Sequence, residues 1–172
     1  GQIKKVKGLD ILLEAMSKVP SNINLIIAGK PWKDDFEQYD ALIKKHAIND
    51  RLVKMIRFIE DDEREMLFFT ADVIVLPYRV IFQSGVLLMA MSHGLPVIAS
   101  DLAPNKEIIT HKKNGILFMS ENPEDLSKKI NTFFDQDSLR GLLSKKSLIT
   151  IQQHYDWNNI ADKYVEILQN NS

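Results

Sequence analysis

The chain has no cysteine, and that absence excludes a disulfide framework, thiolate nucleophiles and cysteine-bound metal. It also lacks net charge. With 22 basic against 23 acidic side chains, no global field draws it to nucleic acid or to an anionic membrane, so a charged ligand has to be held by local groups. No apolar run approaches the roughly 20 residues of a membrane-spanning helix, and the first residues do not read as a secretory leader. The expected location is the cytoplasm, with peripheral attachment at the inner face of the membrane left open. Glycine is sparse. The seven, at positions 1, 8, 29, 85, 94, 115 and 141, make neither G-x-G-x-x-G nor G-x-x-x-x-G-K-[ST], which excludes a dehydrogenase fingerprint and a Walker loop. His46, His93, His111 and His154 are too scattered for a metal site, and His93, before Gly94-Leu95-Pro96, reads as a helix end. A receiver domain wants acids at strand ends, whereas the run Leu25 to Ala28 ends in Gly29-Lys30.

What is present is a soluble globular composition, 172 residues with 45% hydrophobic and 26% charged side chains, enough to bury one core. Leu9, Leu12, Leu13 and Met16 fall at helical spacing ahead of the apolar run Ile23 to Gly29. Phe36, Tyr39 and Ile43 mark a second helix before the strand Leu52 to Phe58. Asp61 to Thr70 begins with acids, as helix starts prefer, and leads into Asp72 to Pro77. A helix from Ser84 to His93, the strand Pro96 to Ser100, the turn Asn114-Gly115 and the strand Ile116 to Phe118 follow. Asn122-Pro123-Glu124 opens another helix. Ile160, Tyr164, Ile167 and Leu168 form a last amphipathic face, with Trp157 expected in the core or as a helix anchor.

Strands alternating with helices, the strands apolar on both faces, predict an α/β fold: a doubly wound, mostly parallel sheet with helices on both faces. No Pro/Gly/Ser-rich linker, repeat or low-complexity stretch divides it, so residues 1–172 read as one domain. Gly1-Gln2-Ile3 runs into a helix with no strand ahead of it, as in a piece of a longer chain.

In such a sheet ligands sit beyond the carboxyl ends of the strands, where helix starts point free N–H groups outward. Ser84-Gly85-Val86 occupies that place. Ser84 can cap the helix while Gly85 lets an anion approach the backbone; equally, the pair fits a plain cap with Gly chosen for close helix packing. Lys4, Lys5 and Lys7, ahead of Gly8, could neutralise a diphosphate at the same edge or simply be solvated. Glu107 is expected in the first turn of a short helix near the crevice, as a ligand contact or a surface acid.

In order, Gly1 to Ala15, Leu25 to Gly29, Ala71 to Tyr78, Ser84 to Ser100, Glu107 to Ile109 followed by Asn114 to Phe118, and Tyr155-Asp156-Trp157 resemble the nucleotide-sugar domain of group 1 glycosyltransferases. The resemblance spans nearly the whole chain and implies the Rossmann-like C-terminal half of a retaining GT-B enzyme acting in surface polysaccharide or glycolipid synthesis. The implied partners are a nucleoside diphosphate sugar, a sugar or lipid-linked acceptor, and an N-terminal domain of the same chain, with no cofactor and no metal. It also implies that the diphosphate rests on the positions matching Ser84, Gly85 and Val86, assisted by Lys4 and Lys7, with the base at Phe58 and Ile59. Glu107 and Gln83 are the expected catalytic residues, Glu107 as a contact to the sugar and Gln83, by its place in the loop alone, as a stand-in for a sugar contact the family has and this chain lacks. The family commonly carries two glutamates eight positions apart; here those positions are Ile81 and Met89, and Gln2 stands for the usual Arg. These departures favour an alternative, a noncatalytic nucleotide-binding or interaction module.

Overall fold

The computed structural model describes residues 1–33 and 36–170. Every predicted strand forms, the first four shorter than their apolar runs and the last with the expected bounds: β1 (Leu25–Ala28), β2 (Leu52–Met55), β3 (Ile74–Leu76), β4 (Val97–Ser100) and β5 (Ile116–Phe118). Between and after them lie α1 (Leu9–Met16), α2 (Glu37–Lys45), α3 (Asp61–Thr70), α4 (Gly85–Ser92), α5 (Ala103–Ile108), α6 (Pro123–Asp135), α7 (Asp137–His154) and α8 (Trp157–Asn170). Caps fall where the side chains predict them. Asn122 Oδ1 accepts from the Asp125 amide at 2.9 Å with Pro123 opening α6, and His93 closes α4 with Gly94 beyond it at a φ of 69°.

All strand pairs are parallel, but they form two sheets rather than one continuous ladder: β1 with β2, and β3-β4-β5. Residues 3–8 span both. The Ile3 amide donates to Lys30 O and Ile3 O accepts from Trp32, just past β1, while Val6 O accepts from Arg79, just past β3. The carboxyl ends of both sheets are thereby tied to one segment.

Helices cover both faces, as expected. Along β4 the alternation of side chains sends Ile98 into a core with Leu13, Ile27, Phe118, Leu126 and Phe133, and Val97 and Ala99 into a second with Leu76, Leu87, Ala90 and Met91. The first is floored by α1, α2 and α6, the second by α4. Leu13 is fully buried, and truncating such a side chain to Ala costs about 2–5 kcal/mol. Burial on both faces holds for β4 but not for the edge strand β2, where Val53 and Lys54 are exposed. Trp157 also departs from expectation. It is the first residue of α8 and 82% exposed, and Tyr164, Ile167 and Leu168 lie on the surface too, because α8 packs against α7 rather than into either core.

Candidate functional site

The site is built on the start of α4. Ser84 holds an extended backbone, is buried, and its Oγ accepts from the Leu87 amide at 3.1 Å, which leaves the Gly85 and Val86 amides without a helical partner. No acid lies in the first turn of α4, so its positive end is not offset from within. A Cβ placed on Gly85 would meet no atom within 4 Å. Close packing therefore does not explain this glycine; the cap is real, and the backbone beyond it is open.

The lysine loop packs on the end of β3, the strand that leads to this helix. Lys5–Lys7 make a 3-10 turn closed by Gly8, whose φ is 65° and whose missing Cβ would fall 1.9 Å from Pro77 O; the loop thus presses on the end of β3 in a way that only glycine permits. Lys7 Nζ lies 3.7 Å from the centroid of the buried Tyr78 ring. Tyr78 is buried in the second core with Leu87, Ala90 and Met91 of α4, so one aromatic side chain packs under the lysine and against the helix. Burial raises the Tyr78 phenol above its ordinary pKa. Burial, and then the nearby Lys4 charge, hold Lys7 below the usual lysine range. Lys4 Nζ sits 4.4 Å over the Trp32 ring. Among the described residues no carboxylate pairs with Lys4 or Lys7. A half-buried cation beside open amides is a place for an anion.

The other predicted residues distribute unevenly. Phe58, 64% exposed, and half-buried Ile59 lie between β2 and α3 on the same strand edge; Phe58 O accepts from Arg57 Nη1 at 3.0 Å. Gln83 is exposed immediately before the cap. Glu107 corrects an expectation. Leu102 caps α5 and Pro104 lies in its first turn, so Glu107 is the fifth of six residues, exposed and away from the dipole's positive end. Ile81 is half-buried against the second core. Met89 lines a groove of about 290 Å³ with Asp61, Asp62, Arg64, Glu65 and His93.

Two residues escaped the sequence reading, Tyr78 and Arg79. Arg79 forms a bidentate pair with Asp10 at 2.8 and 2.7 Å and binds Glu121 at 2.9 Å. Nothing in the sequence pairs positions 69 apart; the one available signal was an arginine three residues past an apolar strand. Among the described residues no cluster of three or more His, Asp or Glu stands ready for a metal.

The model of the family described as "Glycosyl transferases group 1" matches residues 1–148. An uncharacterized glycosyltransferase of Methanocaldococcus jannaschii is 28% identical over 169 residues, 97% of this chain and 43% of the relative. Spore coat protein SA of Bacillus subtilis is 27% identical, over 99% of this chain and 48% of that one. This chain thus spans less than half the length of either. Among solved structures, Anabaena HepE in complex with UDP superposes with a TM-score of 0.90 at 20% identity, covering 99% of this chain and 47% of that one. The C-terminal domain of the group 1 glycosyltransferase LpcC from Francisella tularensis superposes at 0.82 and 19% identity, over 91% of this chain and 84% of that domain. Fold, order of elements and a family match over most of its length agree: the chain belongs to the group 1 glycosyltransferases.

Proposed function

We propose that this chain is the donor-binding domain of a retaining glycosyltransferase, the C-terminal half of a longer two-domain protein, moving a sugar from a nucleoside diphosphate to an acceptor in surface polysaccharide or glycolipid synthesis. One observation carries the reading: the half-buried Lys7 ammonium, unpaired by any described carboxylate, is held over the ring of Tyr78, which packs in one core with α4, the helix whose first amides are open. Gly85 and Val86 donate to the diphosphate, Lys7 and Lys4 neutralise it, and the base lies over the Phe58–Ile59 loop. These groups offset the charge developing on the leaving nucleoside diphosphate, so the step needs no metal. Gln83 and Glu107 are the proposed sugar contacts. The UDP carried by the Anabaena protein of the same fold supports a nucleotide here.

The test is thermal unfolding with UDP, GDP and ADP. A ligand at 100 times its Kd adds about 2.7 kcal/mol, or roughly 5–10 °C for a chain of this size. EDTA should leave the shift unchanged. Ile81 and Met89, where a donor site would gain from carboxylates, favour a noncatalytic interaction module instead, and silence with all three nucleotides would support it.

A further inference from the structure

Arg79 stands five residues before the α4 cap, yet its hydrogen bonds and ion pairs among the described residues all go elsewhere. Its amide donates to Val6 O at 2.9 Å and its Nη1 to Lys5 O at 3.0 Å, so backbone and side chain together grip the lysine turn. The same guanidinium forks onto both Asp10 oxygens at 2.8 and 2.7 Å, near the start of α1, and its Nε donates to Glu121 at 2.9 Å, between β5 and α6. Two carboxylates face one guanidinium, which leaves no surplus positive charge to offer an anion. Lys4 and Lys7, which have no such partners among the described residues, keep theirs.

We infer that Arg79 is a positioning residue for anion binding: its fork fixes the turn that carries Lys4 and Lys7 to the end of β3, and so sets the distance between the Lys7 ammonium and the α4 amides. The inference rests on the diphosphate reading above. Geometry, rather than charge, is what Arg79 supplies. A lysine could match the charge but not the simultaneous bonds to Lys5 O, both Asp10 oxygens and Glu121. Asp10 is pulled below its ordinary pKa, chiefly by its hydrogen bond to Arg79, and so stays ionised to hold the fork at neutral pH.

The experiment is calorimetric titration with UDP, GDP and ADP, each compared with its own nucleoside, on the unsubstituted chain and on Arg79→Ala, Arg79→Lys, Asp10→Asn, Lys7→Ala and the Lys7→Ala/Arg79→Ala pair. Both Arg79 variants should weaken the diphosphate about tenfold and leave the nucleoside unchanged. Asp10→Asn should also weaken it, although removing a negative charge would by electrostatics alone tighten an anion. Adding Arg79→Ala to Lys7→Ala should cost clearly less than Arg79→Ala alone, because much of what Arg79 supplies acts through that lysine and only Lys4 is left to be displaced. Full binding by Arg79→Lys, or tighter binding by Asp10→Asn, would overturn the inference while leaving the diphosphate seat intact. Equal affinity of the unsubstituted chain for diphosphate and nucleoside would remove the seat itself, and the latch with it. Asp10→Asn, nearly isosteric, keeps the test decisive if Arg79→Ala fails to fold.

Discussion

The starts of α3 and α4 lie on the same edge of the parallel strands and dispose of their unpaired amides in opposite ways. At α3 the protein supplies its own anions: Asp61, Asp62 and Glu63 fill the first turn, the Glu60 amide donates to Glu63 Oε2 at 3.3 Å, and Arg57 clasps the same carboxylate at 2.7 and 2.5 Å. At α4 there is only the Ser84 cap, an unobstructed glycine and an approaching lysine. A helix start completed from within is structural. One left incomplete, with cations gathered beside it, gives up local stability and gains a place for an external anion.

The sharpest way to break this contrast is to make α4 resemble α3. Gly85→Asp adds its Cβ in open space, suits the dipole, and should leave stability equal or higher by up to about 1 kcal/mol, while weakening nucleoside diphosphates on the order of a hundredfold by repulsion. Calorimetry showing retained affinity would sink the assignment of α4 as the seat. Lys7→Ala should cost about tenfold, equivalent to roughly 1.4 kcal/mol, for the diphosphate and nothing for the nucleoside. Ser84→Ala removes a cap worth about 1 kcal/mol, seen as a midpoint lower by about 2–4 °C. Arg57→Ala, at the self-sufficient start, should change the affinities for nucleoside and nucleoside diphosphate equally, because Arg57 bonds the base loop at Phe58 O and makes no contact with the diphosphate seat among its hydrogen bonds.

A pH series gives the smallest effect and compares two Arg–carboxylate pairs. Hydrogen bonds from Arg57 hold Glu63 at about 2 against an ordinary 4.5, and those from Arg79 hold Asp10 below 3.8. A depressed carboxylate pKa confers stability that is fully present above the ordinary value and lost as pH falls through the folded one. Midpoints should therefore decline below about pH 4.5, and Glu63→Gln and Asp10→Asn should each flatten part of that decline.

Much of the fold was legible because its signals are local. Alternating apolar runs located all five strands, and the Ser84 and Asn122 caps were readable to the residue. What could not be read depends on contacts between distant segments. The division into two sheets follows from where residues 3–8 run, and the exposure of Trp157 from α8 meeting only the outer face of the fold. For Glu107 the sequence misjudged a boundary, since α5 starts at Ala103, capped by Leu102, which puts Glu107 past the first turn. At the site, lysines and the Ser-Gly step were visible as types, while Tyr78 and Arg79, which join them, gain their roles only from partners up to 74 positions away.

Because residues 3–8 are hydrogen-bonded to both sheets, the two halves of the molecule share one clasp, and it closes late: its partners past β3 are more than 70 residues along the chain from the turn they hold. The Trp32 and Arg79 amides, on opposite sides of that clasp, should exchange their hydrogens in a single cooperative opening, and a bound nucleotide should slow both together, although it would touch neither.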